Sequence, residues 1–168
     1  NLQYFKNVIN NGVYNLKLLK METKNIAIGS DHAGYDLKVK VIEHLKNKGI
    51  EVKDFGPFND DRADYPDYAH PVAKAVTNKE VELGILICGS GNGINMTANK
   101  HQEIRSALCW QKDIAEMARL HNNANIIALP ARYISEELAL ECIDIFITTG
   151  FETEEHTSEL QSRGHLVC

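Results

Sequence analysis

A cysteine followed by glycines at alternate positions is the part of this sequence best suited to chemistry. Residues 88–93 read CGSGNG and follow a short apolar run. Glycines let a backbone come close to a ligand and point several N–H groups at one oxygen, which creates an anion or oxyanion hole. Because such N–H groups and a helix dipole favour a thiolate, Cys88 could accept a proton there. Taken alone, burial at a strand end is the stronger interpretation of Cys88, and a plain tight turn also explains the loop.

The loop GSDHAG, residues 29–34, places an acid and a histidine directly after another apolar run. Asp31 and His32 could therefore both face a ligand at the start of the next helix. Aspartate is also a favoured helix N-cap, a role worth about 1 kcal/mol. Capping would explain Asp31 and leave His32 unexplained, so both interpretations stay open.

Two other segments contain polar groups of the same kind. In RLHNNAN, residues 119–125, His121 and Asn122 stand at the end of a helical pattern. A histidine there is either a favourable cation at a helix C-terminus or an acid–base group that works near neutral pH. Tyr65 precedes Pro66, which favours an extended backbone and suits either a ligand contact or a structural tyrosine.

A regular scaffold that could position these residues begins at residue 25, where short apolar runs alternate with stretches of helical period. This alternation is typical of a parallel α/β sheet. The predicted strands are residues 25–29, 51–55, 83–88, 104–109 and 125–129. The predicted helices are residues 35–48, 67–78, 93–100, 112–121 and 135–148, with Gly49 placed where a helix end favours glycine. We expect one sheet with helices on both faces and a ligand at the carboxyl ends of its strands.

Composition limits the class of protein. The chain has 168 residues, 43% of them apolar, and a formal charge of −5 without a basic stripe, so we expect one core and no nucleic-acid partner. No apolar run approaches the roughly 20 residues that cross a membrane. The cysteines stand singly, without the paired spacing of zinc or redox sites, which favours a reducing cytoplasm. We expect Cys109 and Cys142 to be core residues.

The sequence divides into three parts by pattern. Residues 24–151 are predicted to form a single α/β domain. Residues 1–23 contain many asparagines, with lysines and one acid near Met21, and are predicted to be an extension outside the fold. A mitochondrial presequence is disfavoured because residues 1–20 lack arginine and serine. Residues 152–168 are predicted to be a divergent C-terminal tail.

Four segments taken together resemble the type B ribose-5-phosphate isomerase family, which includes the galactose-6-phosphate isomerase subunits. They are GSDHAG, DYPDYA, GILICGSGNGIN followed by ANK, and RLHNNAN with Ala131 and Arg132 beyond it. The resemblance covers residues 24 to about 151, with the motifs in order. It implies a three-layer α/β/α sandwich with a five-stranded parallel, Rossmann-like sheet. It also implies a homodimer whose active sites use both chains, with no metal and no cofactor.

The resemblance also assigns an activity and residue roles. The activity is interconversion of ribose 5-phosphate and ribulose 5-phosphate by proton transfer through an enediolate. Cys88 resembles the catalytic base, and His121 with Asp31 resembles the pair that opens the sugar ring. The loop around Ser90 resembles the hole that holds the enediolate oxygen, and Arg132 is expected to serve the neighbouring chain's site. The implied substrate contacts are Asp31, His32, Tyr65, Gly89, Ser90, Gly91, Asn92, Gly93, Asn122 and Arg132.

One stretch departs from the family pattern. The family usually ends its last helix with GGRHxxR, whose arginines clamp the substrate phosphate, whereas this chain reads TEEHTSE. Glu155 and Glu159 replace the arginines, at a cost of about 1–4 kcal/mol for each close pair with a phosphate. Either Arg132 or Arg163 holds the phosphate, or the substrate is another sugar phosphate such as a galactose 6-phosphate-like one, or the chain binds without catalysis. We expect a working isomerase because the base, the hole and the ring-opening pair are present.

Overall fold

In the computed structural model, residues 25–152 are described and form five strands and five helices. The strands are β1 (Asn25–Ser30), β2 (Glu51–Asp54), β3 (Leu83–Cys88), β4 (Ser106–Leu108) and β5 (Ile126–Pro130). The helices are α1 (Tyr35–Asn47), α2 (Tyr65–Thr77), α3 (Asn92–Ala98), α4 (Lys112–Leu120) and α5 (Glu136–Thr148). All strand pairs are parallel and the sheet order is β2-β1-β3-β5-β4. The predicted α/β class and five-stranded parallel sheet are confirmed.

The two faces of the sheet carry separate cores because side chains alternate along each strand. Ile26 and Ile28 of β1 belong to the core beneath α1, α4 and α5, where Phe146 is fully buried. Ala27 of β1 belongs to the other core, which packs against α2 and α3 around Val72. Each fully buried large side chain contributes about 1.5–3 kcal/mol. Helices therefore cover both faces, as predicted.

Three of these strands and helices can be compared with the predicted ranges at the residues where they begin or end. Strand β4 pairs over only three residues, so only part of the predicted 104–109 run joins the ladder, and Glu103 directly before that run is left-handed with φ 71°. Helix α2 starts at Tyr65, two residues before the predicted start, since Pro66 is tolerated in a first turn. Helix α1 ends at Asn47 and is followed by Gly49 at φ 77°, as its pattern predicted.

The parallel sheet has two chemically different edges. Ser30 pairs with Ile87, and Cys88 pairs with Pro130, so the carboxyl ends of the three central strands lie at one edge. The amino ends lie at the opposite edge, about 16 Å away for a six-residue strand such as β3. Residues that directly follow a strand therefore lie at the opposite edge from residues that directly precede one. Within residues 25–152, no helix is long and apolar enough to cross a membrane.

Candidate active site

The CGSGNG segment forms a tight loop between β3 and α3. Cys88 is the last residue of β3 and only 3% exposed, and Gly91 then takes a left-handed conformation with φ 74°. That turn brings the Gly91 N–H to 3.2 Å from Cys88 Sγ, to which it donates. The two interpretations of Cys88 are compatible, because the residue is packed in the core and its sulfur also accepts a hydrogen bond from the glycine loop.

Gly91 is the one position of this loop where backbone and packing both demand glycine. A Cβ at Gly91 would lie 2.2 Å from Leu108 Cδ1, and a side chain is disfavoured at positive φ. The loop thus rests against strand β4, and the position of the Cys88 sulfur depends on that contact.

Replacing Gly91 with Ala should destabilise the fold as well as disturb the loop. The left-handed backbone costs about 1–2 kcal/mol for an alanine, and displacing Leu108 adds a packing cost, so we expect a loss of about 2–4 kcal/mol in unfolding free energy. Urea denaturation measures it. Gly49→Ala is a matched control, since Gly49 has φ 77° and nothing within 4 Å of the new Cβ. Equal losses in the two variants would contradict the role of the Leu108 contact.

Two side chains border the loop. A Cβ at Gly93 would lie 2.7 Å from Cζ of Tyr65, so the tyrosine ring packs directly on the Gly93 backbone. A Cβ at Gly89 would lie 3.3 Å from Nε of Arg132, whose backbone N–H donates to the Gly89 carbonyl at 3.1 Å. Arg132 was expected to serve the neighbouring chain's site. Its guanidinium lies beside Gly89 of its own chain, because the turn after β5 runs beside the end of β3, and a role in the neighbouring chain's site stays a prediction.

The polar residues of the same loop lie on its outer side. Ser90 is exposed, and its Oγ accepts a hydrogen bond from the backbone N–H of Asn92 at 3.4 Å. Asn92 is also exposed at the first turn of α3. Both residues can therefore reach a ligand held above the loop.

Asp31 and His32 follow β1 and lie at the same edge as Cys88. The Asp31 N–H donates to the Ile87 carbonyl at 3.0 Å, and its carboxylate accepts from the Gly34 N–H at 2.9 Å. Asp31 is 8% exposed and caps the short 3-10 helix His32–Gly34, whereas the N-cap of α1 itself is Gly34. His32 Nδ1 lies 3.0 Å from the Ala63 carbonyl. The same nitrogen lies 3.4 Å from the Ala63 backbone nitrogen, so the His32 ring is held against the backbone of Ala63.

The loop that contacts His32 is anchored by a buried lysine that the sequence analysis missed. Lys38 is 1% exposed, and its ammonium donates to both carboxylate oxygens of Asp54, at 2.7 and 2.8 Å, and to the Pro57 carbonyl at 2.7 Å. Asp54 also accepts from the Gly56 N–H, and the Gly56 carbonyl accepts from Ser30. The sequence does contain a sign that Lys38 is buried. Lys38 lies three and seven residues before Val41 and Leu45, so the three side chains lie on one face of the helix.

His121 and Asn122 lie at the opposite edge of the sheet. They follow α4 and precede β5, and the carbonyl of Asn125, three residues after Asn122, accepts a hydrogen bond from the Gly84 N–H near the start of β3. Arg105 donates through Nε to the Asn122 carbonyl. A cleft of about 390 Å³ lies beside this turn and is lined by Asn99, Ile104, Arg105, Ser106, Ala107, Asn122 and Ala124. The structure therefore does not bring His121 to Asp31 or Cys88 of the same chain.

The other two described cysteines are core residues, as predicted. Cys109 and Cys142 are fully buried, and burial raises the pKa of Cys109 to about 12 and that of Cys142 to about 11. Both thiols stay neutral near pH 7 and cannot act as bases there. Within residues 25–152, no three His, Cys, Asp or Glu side chains are grouped to hold a metal ion.

A strand-end thiol beside a glycine loop at the carboxyl edge of a parallel sheet is an arrangement typical of an α/β enzyme. The sequence matches the Ribose/Galactose Isomerase family over residues 26–162, and the chain belongs to that family. The match includes Glu155 and Glu159, which lie outside the described residues.

Individual relatives agree in sequence and in fold. Ribose-5-phosphate isomerase B of Escherichia coli is 40% identical over 139 residues, which cover 83% of this chain and 93% of that protein. A ribose 5-phosphate isomerase from Thermotoga maritima has a TM-score of 0.77 at 45% identity, covering 83% and 96% of the two chains. Ribose-5-phosphate isomerase B from Mycoplasma genitalium, solved with bound ribulose-5-phosphate, has a TM-score of 0.74 at 40% identity, covering 83% and 93%.

Proposed function

We propose that this chain is a sugar-phosphate isomerase that interconverts ribose 5-phosphate and ribulose 5-phosphate. The observation that carries the proposal is the Cys88 loop, in which a glycine N–H is directed at the sulfur of a strand-end cysteine. The bound ribulose-5-phosphate of the Mycoplasma genitalium relative supports the choice of sugar.

The proposed reaction moves one proton between neighbouring carbons. The Cys88 thiolate removes the proton from C2 of the open aldose, and the electron pair of that C–H bond forms the C1–C2 double bond of an enediolate. The negative charge collects on the C1 oxygen. The Cys88 thiol then returns the proton to C1, while the hydroxyl proton on O2 passes to O1 and the ketose carbonyl forms at C2. Since the hydrogen moves as a proton, the step needs no redox cofactor.

The loop is proposed to lower the activation barrier mainly by stabilising the charge that develops on the enediolate oxygen. We assign this task to Ser90 and the backbone of Gly89, Gly91 and Gly93, with Asn92 beside them. Each well-placed donor lowers such a barrier by about 3 kcal/mol. The remaining proposed contacts at this edge are His32, Tyr65 and Arg132, and we assign the phosphate to Arg132, whose guanidinium lies beside Gly89.

The proposed assembly is a homodimer with shared active sites. Ring opening needs an acid and a base near one sugar, and we assign it to Asp31 with His121. Those residues lie at opposite edges of one sheet, so a partner chain must supply His121 and Asn122 to the Cys88 edge. We further propose that residues 24–151 form the isomerase domain, that residues 1–23 and 152–168 lie outside it, and that the protein works in the cytoplasm without metal or cofactor.

A second candidate substrate follows from Glu155 and Glu159. Two carboxylates at the usual phosphate-clamp positions disfavour the family's ordinary phosphate geometry. The same proton transfer on another sugar phosphate, such as a galactose 6-phosphate-like ketose or aldose, is therefore the alternative.

A substrate panel tests the proposed function. We expect purified protein to interconvert ribose 5-phosphate and ribulose 5-phosphate, with proton exchange into solvent visible by NMR in deuterium oxide, and to do so in the presence of a chelator. Other phosphorylated and free sugars serve as competitors. A higher kcat/KM for a hexose phosphate would favour the alternative substrate, and binding without any exchange would contradict catalysis.

A further inference from the structure

Arg119 is a cation at a place where the fold has no obvious need for one. It lies near the end of α4 and is only 4% exposed. The oxygens that receive its hydrogen bonds are the Thr149 carbonyl at 3.2 Å, the Ala124 carbonyl at 2.5 Å and the Asn123 side-chain oxygen at 3.5 Å. Burying a guanidinium is costly unless its donors are paired, so these contacts must hold the surrounding chain in place.

The turn that contains His121 and Asn122 is wrapped around Arg119. Asn123 takes a left-handed conformation with φ 47°, which asparagine tolerates better than most residues. Its N–H donates to the Arg119 carbonyl at 3.1 Å, and the Ala124 N–H donates to the Ala118 carbonyl at 2.9 Å. Arg119 thus contacts the turn through both its backbone and its side chain, at the two residues that directly follow His121 and Asn122.

The same guanidinium joins this turn to the end of α5. Its carbon lies 5.5 Å from the centre of the Phe146 ring, and Thr149 follows that helix directly. The Glu152 N–H donates to the Leu120 carbonyl at 3.0 Å beside it. Burial lowers the pKa of Arg119, yet arginine starts so far above neutrality that the group stays cationic. Two helix ends and the intervening turn are therefore fixed to one side chain.

We propose that Arg119 is a positioning residue for ring opening, acting by fixing the turn that presents His121. The inference rests on the proposed function, in which His121 and Asp31 open the sugar ring. Arg119 itself touches neither the substrate nor the reacting atoms. A displacement of about 1 Å in an acid–base group can cost roughly 100-fold in rate, so loosening the turn should slow ring opening by about that factor.

Ring opening can be separated experimentally from proton transfer. Ribose 5-phosphate is mostly a closed furanose, whereas ribulose 5-phosphate is open because its 5-oxygen carries the phosphate. Starting from ribulose 5-phosphate, removal of a C1 proton and its exchange with solvent need only the Cys88 loop. Formation of cyclic ribose 5-phosphate on the enzyme also needs the ring-closing pair. A turn that misplaces His121 should therefore change the ratio of the two rates.

The experiment compares wild type, Arg119→Met and Arg119→Lys with ribulose 5-phosphate in deuterium oxide. NMR follows both C1 exchange and ribose 5-phosphate formation. We expect Arg119→Met to slow ribose 5-phosphate formation by about 100-fold while exchange changes only a few-fold. Arg119→Lys, which keeps a cation and can still reach a carbonyl, should lie between Arg119→Met and wild type. His121→Gln is the reference variant and should show the same altered ratio.

The outcomes distinguish a positioning role of Arg119 in ring opening from a role in stability alone. A parallel fall of exchange and isomerisation, or an unchanged ratio in folded variants, would overturn the positioning role. Circular dichroism reports folding, and failure of both Arg119 variants to fold would make Arg119 a stability residue and also overturn the proposal. A wild-type protein that neither exchanges nor isomerises would be a failure of the proposed function, which is a different result from an unchanged ratio in an active enzyme.

Discussion

Changing Cys88 to serine should lower kcat for ribose 5-phosphate isomerisation by about 10²–10⁴-fold, the usual contribution of a positioned general base. The two side chains have nearly the same shape, so the loop and the Gly91 contact can persist. A serine hydroxyl, however, is almost never ionised at pH 7, and the Gly91 N–H cannot change that. KM should move little, because the sulfur interacts with the transferred proton rather than with the bound sugar. Steady-state kinetics in both directions measure the change.

Cys142→Ala is the matched control for Cys88→Ser. Cys142 is a fully buried thiol of α5 in the other core, and burial raises its pKa to about 11. Its loss should cost about 1 kcal/mol of unfolding free energy and leave kcat unchanged. If Cys88→Ser retained wild-type kcat, the base would have to be another group, and Asp31 would be the first to test.

Much of the fold could be predicted because it depends on local patterns. The apolar runs of β1, β3 and β5 are fully buried or nearly so, and a continuous apolar run is typical of a strand covered on both faces. The order of strands in the sheet could not be predicted in the same way. Pairing of β3 with β5 instead of β4 depends on contacts between distant segments, which no local pattern contains.

Part of the candidate site could likewise be predicted from local sequence, and part depends on contacts between distant segments. The Cys88 loop, Asp31 and His32 each follow a strand, so their shared edge could be expected from the rule on carboxyl ends. The contacts of Tyr65 with Gly93 and of Arg132 with Gly89 could not, because each joins segments separated by many residues. Arg119 also escaped prediction. In the sequence it is one more arginine on an amphipathic helix, and only the structure shows that its donors close a turn.

The separation of His121 from Cys88 leads to the second large prediction, which concerns two inactive variants. Mixing Cys88→Ser with His121→Gln should restore activity after the chains have been unfolded and reassembled together. In a symmetric dimer with shared sites, each mixed dimer contains one site with both defects and one site with neither. Random reassembly should therefore recover about one quarter of the wild-type activity, although each variant alone is nearly inactive.

Pairing Cys88→Ser with Asp31→Asn is the matched control for this complementation. Both residues lie at the carboxyl edge of the same sheet, so every site in the mixed dimer keeps one defect and no activity should return. Recovery in this control would mean that Asp31 and Cys88 act in different sites. Without recovery in the His121 mixture, the shared site would be wrong, and a single chain would have to supply its acid–base pair from residues at the Cys88 edge, where His32 is the histidine nearest to Asp31 in sequence. The two mixtures together therefore test the proposed shared site, in which His121, at the edge of the sheet opposite Cys88, serves the base of another chain.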